Sequence, residues 1–277
     1  MITTAELHRA AEREGLRFDQ AEKDYVVLWI LSSLVDVVGT APRWVFKGGT
    51  CLRHCFYPGY RFSEDIDFSC DASGANVEKS LLMLKDAARK IEGETGLDIV
   101  VRDERSSSGE EQLEIPVQYS RGGPRRQGLP VVRVHLTFDE PVLVPPELRR
   151  IEPIYSDIAA FRILTYAKIE IIAEKMRGLV QQQEKWPRPR DLYDLWFMLC
   201  LRNEEHPADQ LKSIFSSKCR SKNITDDPAA LISDKLKEWN RNAWENQLGP
   251  MMRSVPDYEQ VWSDWTRECR GIFQAAL

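Results

Sequence analysis

The chain has 277 residues, 43% of them hydrophobic, enough for one large domain or two modest ones. Its formal net charge of −5 argues against a protein that binds DNA through overall charge, while leaving room for a local basic patch. No apolar run reaches membrane-spanning length: the longest, Tyr25 to Val38, is broken by Ser32, Ser33 and Asp36.

The first residues, MITTAELHRAAERE, are polar and amphipathic and unlike a secretory signal, so the expectation is a soluble, cytoplasmic protein with no membrane partner. Residues 3 to 14 read as a short amphipathic helix. Residues 19 to 38 read as a longer one, with Tyr25, Val26, Trp29, Ile30 and Leu34 at helical spacing. Gly39-Thr40-Ala41-Pro42 breaks it. Trp44-Val45-Phe46 is a short buried strand, followed by a glycine turn, a helix Cys51 to Phe56 and a strand Ile66 to Ser69. Residues 75 to 95 read as a helix. Leu97 to Arg102, Gln112 to Tyr119 and Pro130 to Phe138 read as strands joined by polar loops. After Pro145-Pro146 a last strand, Ala160 to Thr165, precedes helices at 166 to 183 and 190 to 202, and the remainder is mostly helical. The order gives an α/β (α+β) sheet domain with packed helices over 1–155, then a mostly helical domain over 156–277.

Six cysteines, at 51, 55, 70, 200, 219 and 269, lack the spacing of a disulfide framework. Cys51, His54 and Cys55 fall on the helix after the glycines, and no second ligand pair closes a zinc sphere. Two loops carry basic clusters: Arg121, Arg125 and Arg126 in SRGGPRRQG, and Lys218, Arg220 and Lys222 in SSKCRSKN. Each is either a local basic patch or a solvated loop, and the second reads first as a solvated loop.

The chemistry concentrates between Phe46 and Cys70, in FKGGTCLRHCFYPGYRFSEDIDFSC. Asp65 and Asp67 alternate along a strand, so their side chains share one face with Cα atoms roughly 6.5 Å apart, while Ile66 and Phe68 face a core. Such a pair suits Mg²⁺, and Mg²⁺ implies phosphate chemistry. Gly48-Gly49 lets backbone approach a ligand, and Thr50 is placed to N-cap the following helix, whose N-terminus attracts phosphate. Lys47 adds a positive charge before the turn.

Gly48-Gly49 followed by Asp65-Ile66-Asp67 resembles the signature of the DNA polymerase β-like nucleotidyltransferases. Glu22-Lys23-Asp24-Tyr25, Phe46-Lys47-Gly48-Gly49-Thr50, Arg61-Phe62-Ser63-Glu64-Asp65-Ile66-Asp67, Ala173-Glu174-Lys175 and Arg190-Asp191-Leu192-Tyr193-Asp194-Leu195 together resemble the AbiEii-type nucleotidyltransferase toxins, over about residues 20 to 200. The resemblance implies a polymerase β-like mixed sheet. It also implies a Mg²⁺-dependent enzyme, with one or two ions at Asp65 and Asp67, that transfers NMP from NTP to RNA, commonly the tRNA 3′ end. A cognate antitoxin and a role in phage defence are implied too.

On the resembled pattern, Lys47, Gly48, Gly49 and Thr50 bind nucleotide phosphates, with Arg61 holding either a phosphate or the aspartate loop and Ser63 either contacting nucleotide or capping the turn. Lys175 contacts the transferring phosphate, and Asp191 or Asp194, one helical turn apart, completes the catalytic set. The C-terminal domain would thereby contribute to the cleft. The family's third carboxylate belongs on a neighbouring strand, in the middle of Val132-Arg133-Val134-His135-Leu136-Thr137, where this chain has His135. Either His135 assists in another way or the third acid comes from elsewhere. Two other enzymatic or binding roles fit the same motifs: a nucleotidyltransferase acting on a small molecule, and a degenerate nucleotide-binding regulator.

Overall fold

A computed structural model of the protein describes residues 1–38, 44–70, 77–102, 106–107, 112–122, 128–182 and 185–274. The break expected at 39–42, the start of the helix expected from 75, residue 183 and the loop arginines Arg125 and Arg126 lie outside these. The chain divides into two compact units, Met1–Val142 with Pro146–Tyr166, and Leu143–Pro145 with Ala167–Leu277.

The first unit opens with α1 (Thr4–Glu14), which starts at a capping box: Thr3 accepts from the Glu6 N–H, and Glu6 accepts from the Thr3 N–H. Gly15, left-handed at φ +68, ends it. α2 (Phe18–Val38) is buried on nearly every side, because Val27, Leu28 and Leu31 are covered as well as the stripe containing Tyr25 and Leu34. β1 (Trp44–Lys47) follows, then α3 (Gly48–Cys51), which runs on as a wider π turn over Leu52–Phe56. β2 (Ile66–Cys70), α4 (Val77–Thr95), β3 (Asp98–Val101), a two-residue β4 (Ser106–Ser107), β5 (Gln112–Ser120), β6 (Val131–Thr137), β7 (Glu147–Ile151) and β8 (Phe161–Thr165) complete the unit.

These strands form one mixed sheet in the order β3-β5-β6-β2-β1-β8-β7, with β4 paired to β5. β1 is antiparallel to β2 and parallel to β8; β2 is parallel to β6. β8, placed by sequence at the head of the helical domain, hydrogen-bonds to β1 and so belongs to the sheet. β7 escaped sequence reading because only Leu148 and Ile151 of Glu-Leu-Arg-Arg-Ile are apolar, and Leu148 is exposed.

Strict alternation makes one face of the sheet apolar. Phe46, Phe68, Leu136 and Leu113 lie side by side across β1, β2, β6 and β5, all buried. Each such side chain contributes about 1.5–3 kcal/mol by leaving water. The residues between them on each strand point to the opposite face, which carries the polar groups described below.

The second unit holds α5 (Lys168–Gln182), α6 (Pro189–Trp196) continuing as a π turn Phe197–Leu201, α7 (Ala208–Ser221), α8 (Asp234–Leu248) and α9 (Tyr258–Ile272). Its core includes Phe215, Trp244 and Trp265; the two indoles donate to the carbonyls of Pro256 and Leu231, each at 2.9 Å. Among the described residues, no helix is long and apolar enough to cross a membrane.

Candidate active site

β1 ends at Lys47, and Gly48 reverses the chain with φ +79, a conformation that suits glycine. A Cβ at Gly48 would stand 2.3 Å from Asp67 Oδ2, so the missing side chain leaves that volume to the carboxylate. At Gly49 a Cβ would lie 2.8 Å from Ser63 Oγ and 2.9 Å from Arg61 Nη2. Two glycines thus bring Asp67, Arg61 and Ser63 against the backbone of one turn. Arg61 and Ser63 are themselves buried, and the Arg61 guanidinium also donates to the Phe62 carbonyl and lies 5.6 Å from the Tyr60 ring.

Thr50 is not the N-cap that the sequence suggests. The left-handed Gly48 starts the helix at once, Lys47 takes the cap position, and Thr50 falls inside α3. Its hydroxyl instead donates to the Asp65 carbonyl and lies 3.0 Å from Ser63 Oγ. The turn is thereby tied to the residue that carries the first aspartate. Lys47 is buried, with Nζ 2.6 Å from Glu140 Oε2 and 5.5 Å from the Tyr166 ring centroid. Its charge meets a carboxylate of the loop after β6.

Asp65 immediately precedes β2 and Asp67 lies within it. Both are half-buried, while Ile66 and Phe68 between and beyond them are buried. The sheet register sets Lys47, Asp67, His135 and Glu114 side by side across β1, β2, β6 and β5. His135 Nδ1 is 2.9 Å from Asp67 Oδ1, and its Nε2 is 3.2 Å from Glu114 Oε2. Burial alone would lower the imidazole pKa, but the hydrogen bond and charge of Asp67, with Asp65 and Glu114 nearby, raise it to about 9. Both ring nitrogens of His135 thus face carboxylate oxygens. Glu114 was not singled out in the sequence. Its signal was the alternation of β5, but its register against β6 runs through a long connection that sequence does not fix.

The Glu22-Lys23-Asp24-Tyr25 motif supports the site rather than joining it. Asp24 is buried, with Arg53 Nε at 3.2 Å, His54 Nε2 at 3.2 Å and the Tyr155 hydroxyl donating at 2.9 Å. Arg53 also donates to the Tyr60 carbonyl and pairs with Glu14, so one network ties α1, α2 and the π turn after the glycines. Lys23 pairs with Glu64, next to Asp65, at 2.6 Å.

In the second unit, Lys175 on α5 lies between two carboxylates of α6, with Nζ 2.8 Å from Asp191 Oδ1 and 2.6 Å from Asp194 Oδ2. The i, i+3 spacing puts both aspartates on one helix face, as read from the sequence. All three side chains are buried, Asp194 completely. Arg188, which sequence reasoning did not single out, pairs with the other oxygen of Asp191. Burial by itself raises the Asp191 pKa, but Arg188 and Lys175 hold it well below the usual carboxylate range. Gly178 gives the pair room: a Cβ there would lie 3.3 Å from Asp191 Oδ2. Glu174 lies 3.7 Å from Arg177.

Lys218 and Arg121 do not read as first sketched. Lys218 is fully buried in an ion pair with Glu170 at 2.8 Å, so it leaves the surface cluster of Arg220 and Lys222. Arg121 donates to the Ile2 carbonyl and lies 5.8 Å from the Tyr25 ring.

The oxygen donors of Asp65 and Asp67 fit a hard divalent cation, which needs only one or two carboxylates when water and phosphate oxygens fill its remaining positions. Among the described residues, no group of three or more His, Cys, Asp or Glu side chains is arranged to hold a metal ion.

This mixed sheet and helical unit are shared with nucleotidyltransferases. The fold is similar to MenT4, a nucleotidyltransferase toxin from Mycobacterium tuberculosis H37Rv, with a TM-score of 0.65 and 21% identity over 99% of this chain and 90% of that one. It is also similar to JHP933 from Helicobacter pylori, with a TM-score of 0.55 and 19% identity over 88% of this chain and 89% of that one. No match was found among curated proteins. The chain belongs to the AbiEii family, described as nucleotidyl transferase toxins of type IV toxin–antitoxin systems, whose sequence model matches residues 29–267. That span takes in Asp65, Asp67, Lys175, Asp191 and Asp194.

Proposed function

We propose that this nucleotidyltransferase toxin transfers a nucleoside monophosphate from an NTP to RNA, with the 3′ end of tRNA as acceptor. The carrying observation is the Asp67 carboxylate seated in the space left by Gly48, two residues on from Asp65, which immediately precedes the same strand. In this reading Asp65 and Asp67 hold Mg²⁺, which supplies charge neutralisation and Lewis-acid polarisation of the α-phosphate. The Gly48-Gly49-Thr50 turn takes the β- and γ-phosphates on its backbone N–H groups. Arg61 and Ser63, packed on Gly49, fix that turn and add donors toward phosphate. Lys47, paired with Glu140, holds the strand end from which the turn departs.

The acceptor hydroxyl oxygen bonds to the α-phosphorus, the bond to the bridging oxygen breaks, pyrophosphate leaves, and the hydroxyl proton passes to solvent. Positioning and charge carry such a step, since phosphoryl chemistry asks little covalent work of the protein. We assign Lys175, Asp191 and Asp194 to the same reaction, supported by the match of their motifs to the family. The charge of Lys175 is balanced by the two aspartates, so its role in this reading is to hold a set geometry as well as to supply charge.

Three predicted features go with the reading: a cognate antitoxin, in keeping with the type IV family, a cytoplasmic setting, and a place in phage defence. The test is incubation with each α-labelled NTP, Mg²⁺ and purified tRNA, intact or oxidised at its 3′ end with periodate. Label on intact tRNA alone supports the 3′-hydroxyl acceptor. Equal label on both forms contradicts it. A small labelled product would favour a small-molecule acceptor, and NTP binding without pyrophosphate release a nucleotide-binding regulator.

A further inference from the structure

Building on the reaction centre proposed above, we infer that Glu114 is a positioning residue for Asp67, acting through His135. Glu114, His135 and Asp67 are direct cross-strand neighbours on β5, β6 and β2. The imidazole bridges them, Nδ1 to Asp67 Oδ1 at 2.9 Å and Nε2 to Glu114 Oε2 at 3.2 Å. The other oxygen of Glu114 lies 3.4 Å from Arg133 Nε, two residues before His135 on the same strand. The chain Arg133–Glu114–His135–Asp67 therefore crosses β6 and β5 and ends on β2 at Asp67.

Both ring nitrogens are engaged, so the ring cannot turn without losing a hydrogen bond. The ring therefore presents a fixed edge to Asp67. What it can do is fix a carboxylate. Asp67 Oδ1 is held by His135 and Oδ2 lies against the Gly48 backbone, where a Cβ would be only 2.3 Å away. The hydrogen bond to one oxygen and the close approach of the Gly48 turn to the other constrain the carboxylate. The imidazole at position 135 orients Asp67, and Glu114 orients the imidazole. Outer residues of this kind typically change metal affinity or activity about 10–100-fold when removed.

The test uses Mn²⁺ as a paramagnetic probe in place of Mg²⁺, titrated by EPR on full-length protein without nucleotide, so that no turnover enters the readout. Glu114→Ala should weaken Mn²⁺ binding about tenfold or more. Glu114→Gln keeps an oxygen for Nε2–H and should stay close to wild type. Glu114→Asp, too short to reach the ring, should behave like Glu114→Ala and serves if the alanine variant does not fold. In a His135→Ala background, Glu114→Ala should add no further loss. Wild-type affinity in Glu114→Ala and Glu114→Asp, or an undiminished effect without His135, overturns the inference while leaving the aspartate site intact. Absence of Mn²⁺ binding by the wild type overturns the aspartate site itself, and the inference with it.

Discussion

Gly48 and Asp67 share one volume: a Cβ on the glycine would stand 2.3 Å from the carboxylate oxygen Oδ2. The glycine is thus defined by the aspartate as much as by its own backbone, which sits at φ +79.

Gly48→Ala should fail on both counts. The left-handed backbone costs an L side chain about 1–3 kcal/mol. The clash must also displace Asp67, and a 1 Å shift of a reacting group can cost about 100-fold in rate. The expectation is a folded protein with a lower urea midpoint and about 100-fold less nucleotide transfer. Transfer at the wild-type rate would separate the glycine from the chemistry.

Lys175 gives a prediction about stability. It is the shared partner of the buried Asp191 and Asp194, at 2.8 and 2.6 Å. Lys175→Ala leaves buried carboxylates short of a counter-charge, a change that costs about 3–5 kcal/mol. Urea unfolding should show that loss. A second substitution, Asp194→Asn in the Lys175→Ala background, should recover part of it by removing one uncompensated charge.

Acid should loosen the first unit through Asp24. Burial alone raises its pKa, but His54 and Arg53 beside it, with the Tyr155 hydroxyl, draw it down from 3.8 to about 2. Because the folded form holds the charged state more tightly, this contribution is complete above the unfolded pKa. It is lost as pH falls from 3.8 through about 2. The difference corresponds to about 2 kcal/mol. Asp24→Asn should be less stable at neutral pH and should flatten the fall in melting temperature over that acid range. An unchanged slope would mean that Asp24 is not the group involved.

Salt should report on the acceptor. A polyanionic RNA held through phosphates loses affinity steeply as salt rises, whereas a small neutral acceptor does not. Transfer to tRNA should therefore fall in KM terms far more than NTP binding does between about 50 and 200 mM salt.

The motifs of the proposed site could be read because their spacing is local. Asp65 and Asp67 declare one face of a strand, and Gly-Gly declares a turn whose backbone must make room. Asp191 and Asp194 declare one helix face in the same way. Glu114 was not legible: its neighbours in the site, His135 and Asp67, lie 21 and 47 positions away in sequence, and only the β5–β6–β2 register joins them. Lys47 and Lys218 show the converse limit. In sequence Lys47 reads as a phosphate-binding charge and Lys218 as part of a basic cluster, yet both are buried against carboxylates, Glu140 and Glu170, that folding brings from 93 and 48 positions away. β7 was missed because its exposed face is mixed and its hydrogen bonds, not its composition, make it a strand.

The most direct measurement is transfer of label from an α-labelled NTP to total RNA, with Mg²⁺, by wild type, Asp65→Asn and Asp67→Asn at matched folded concentration. Losing several kcal/mol of charge stabilisation predicts a fall of about 1,000-fold in each variant, with the wild type silenced by EDTA. RNA labelling by either variant at the wild-type rate would contradict the assignment of the reaction to this pair of aspartates.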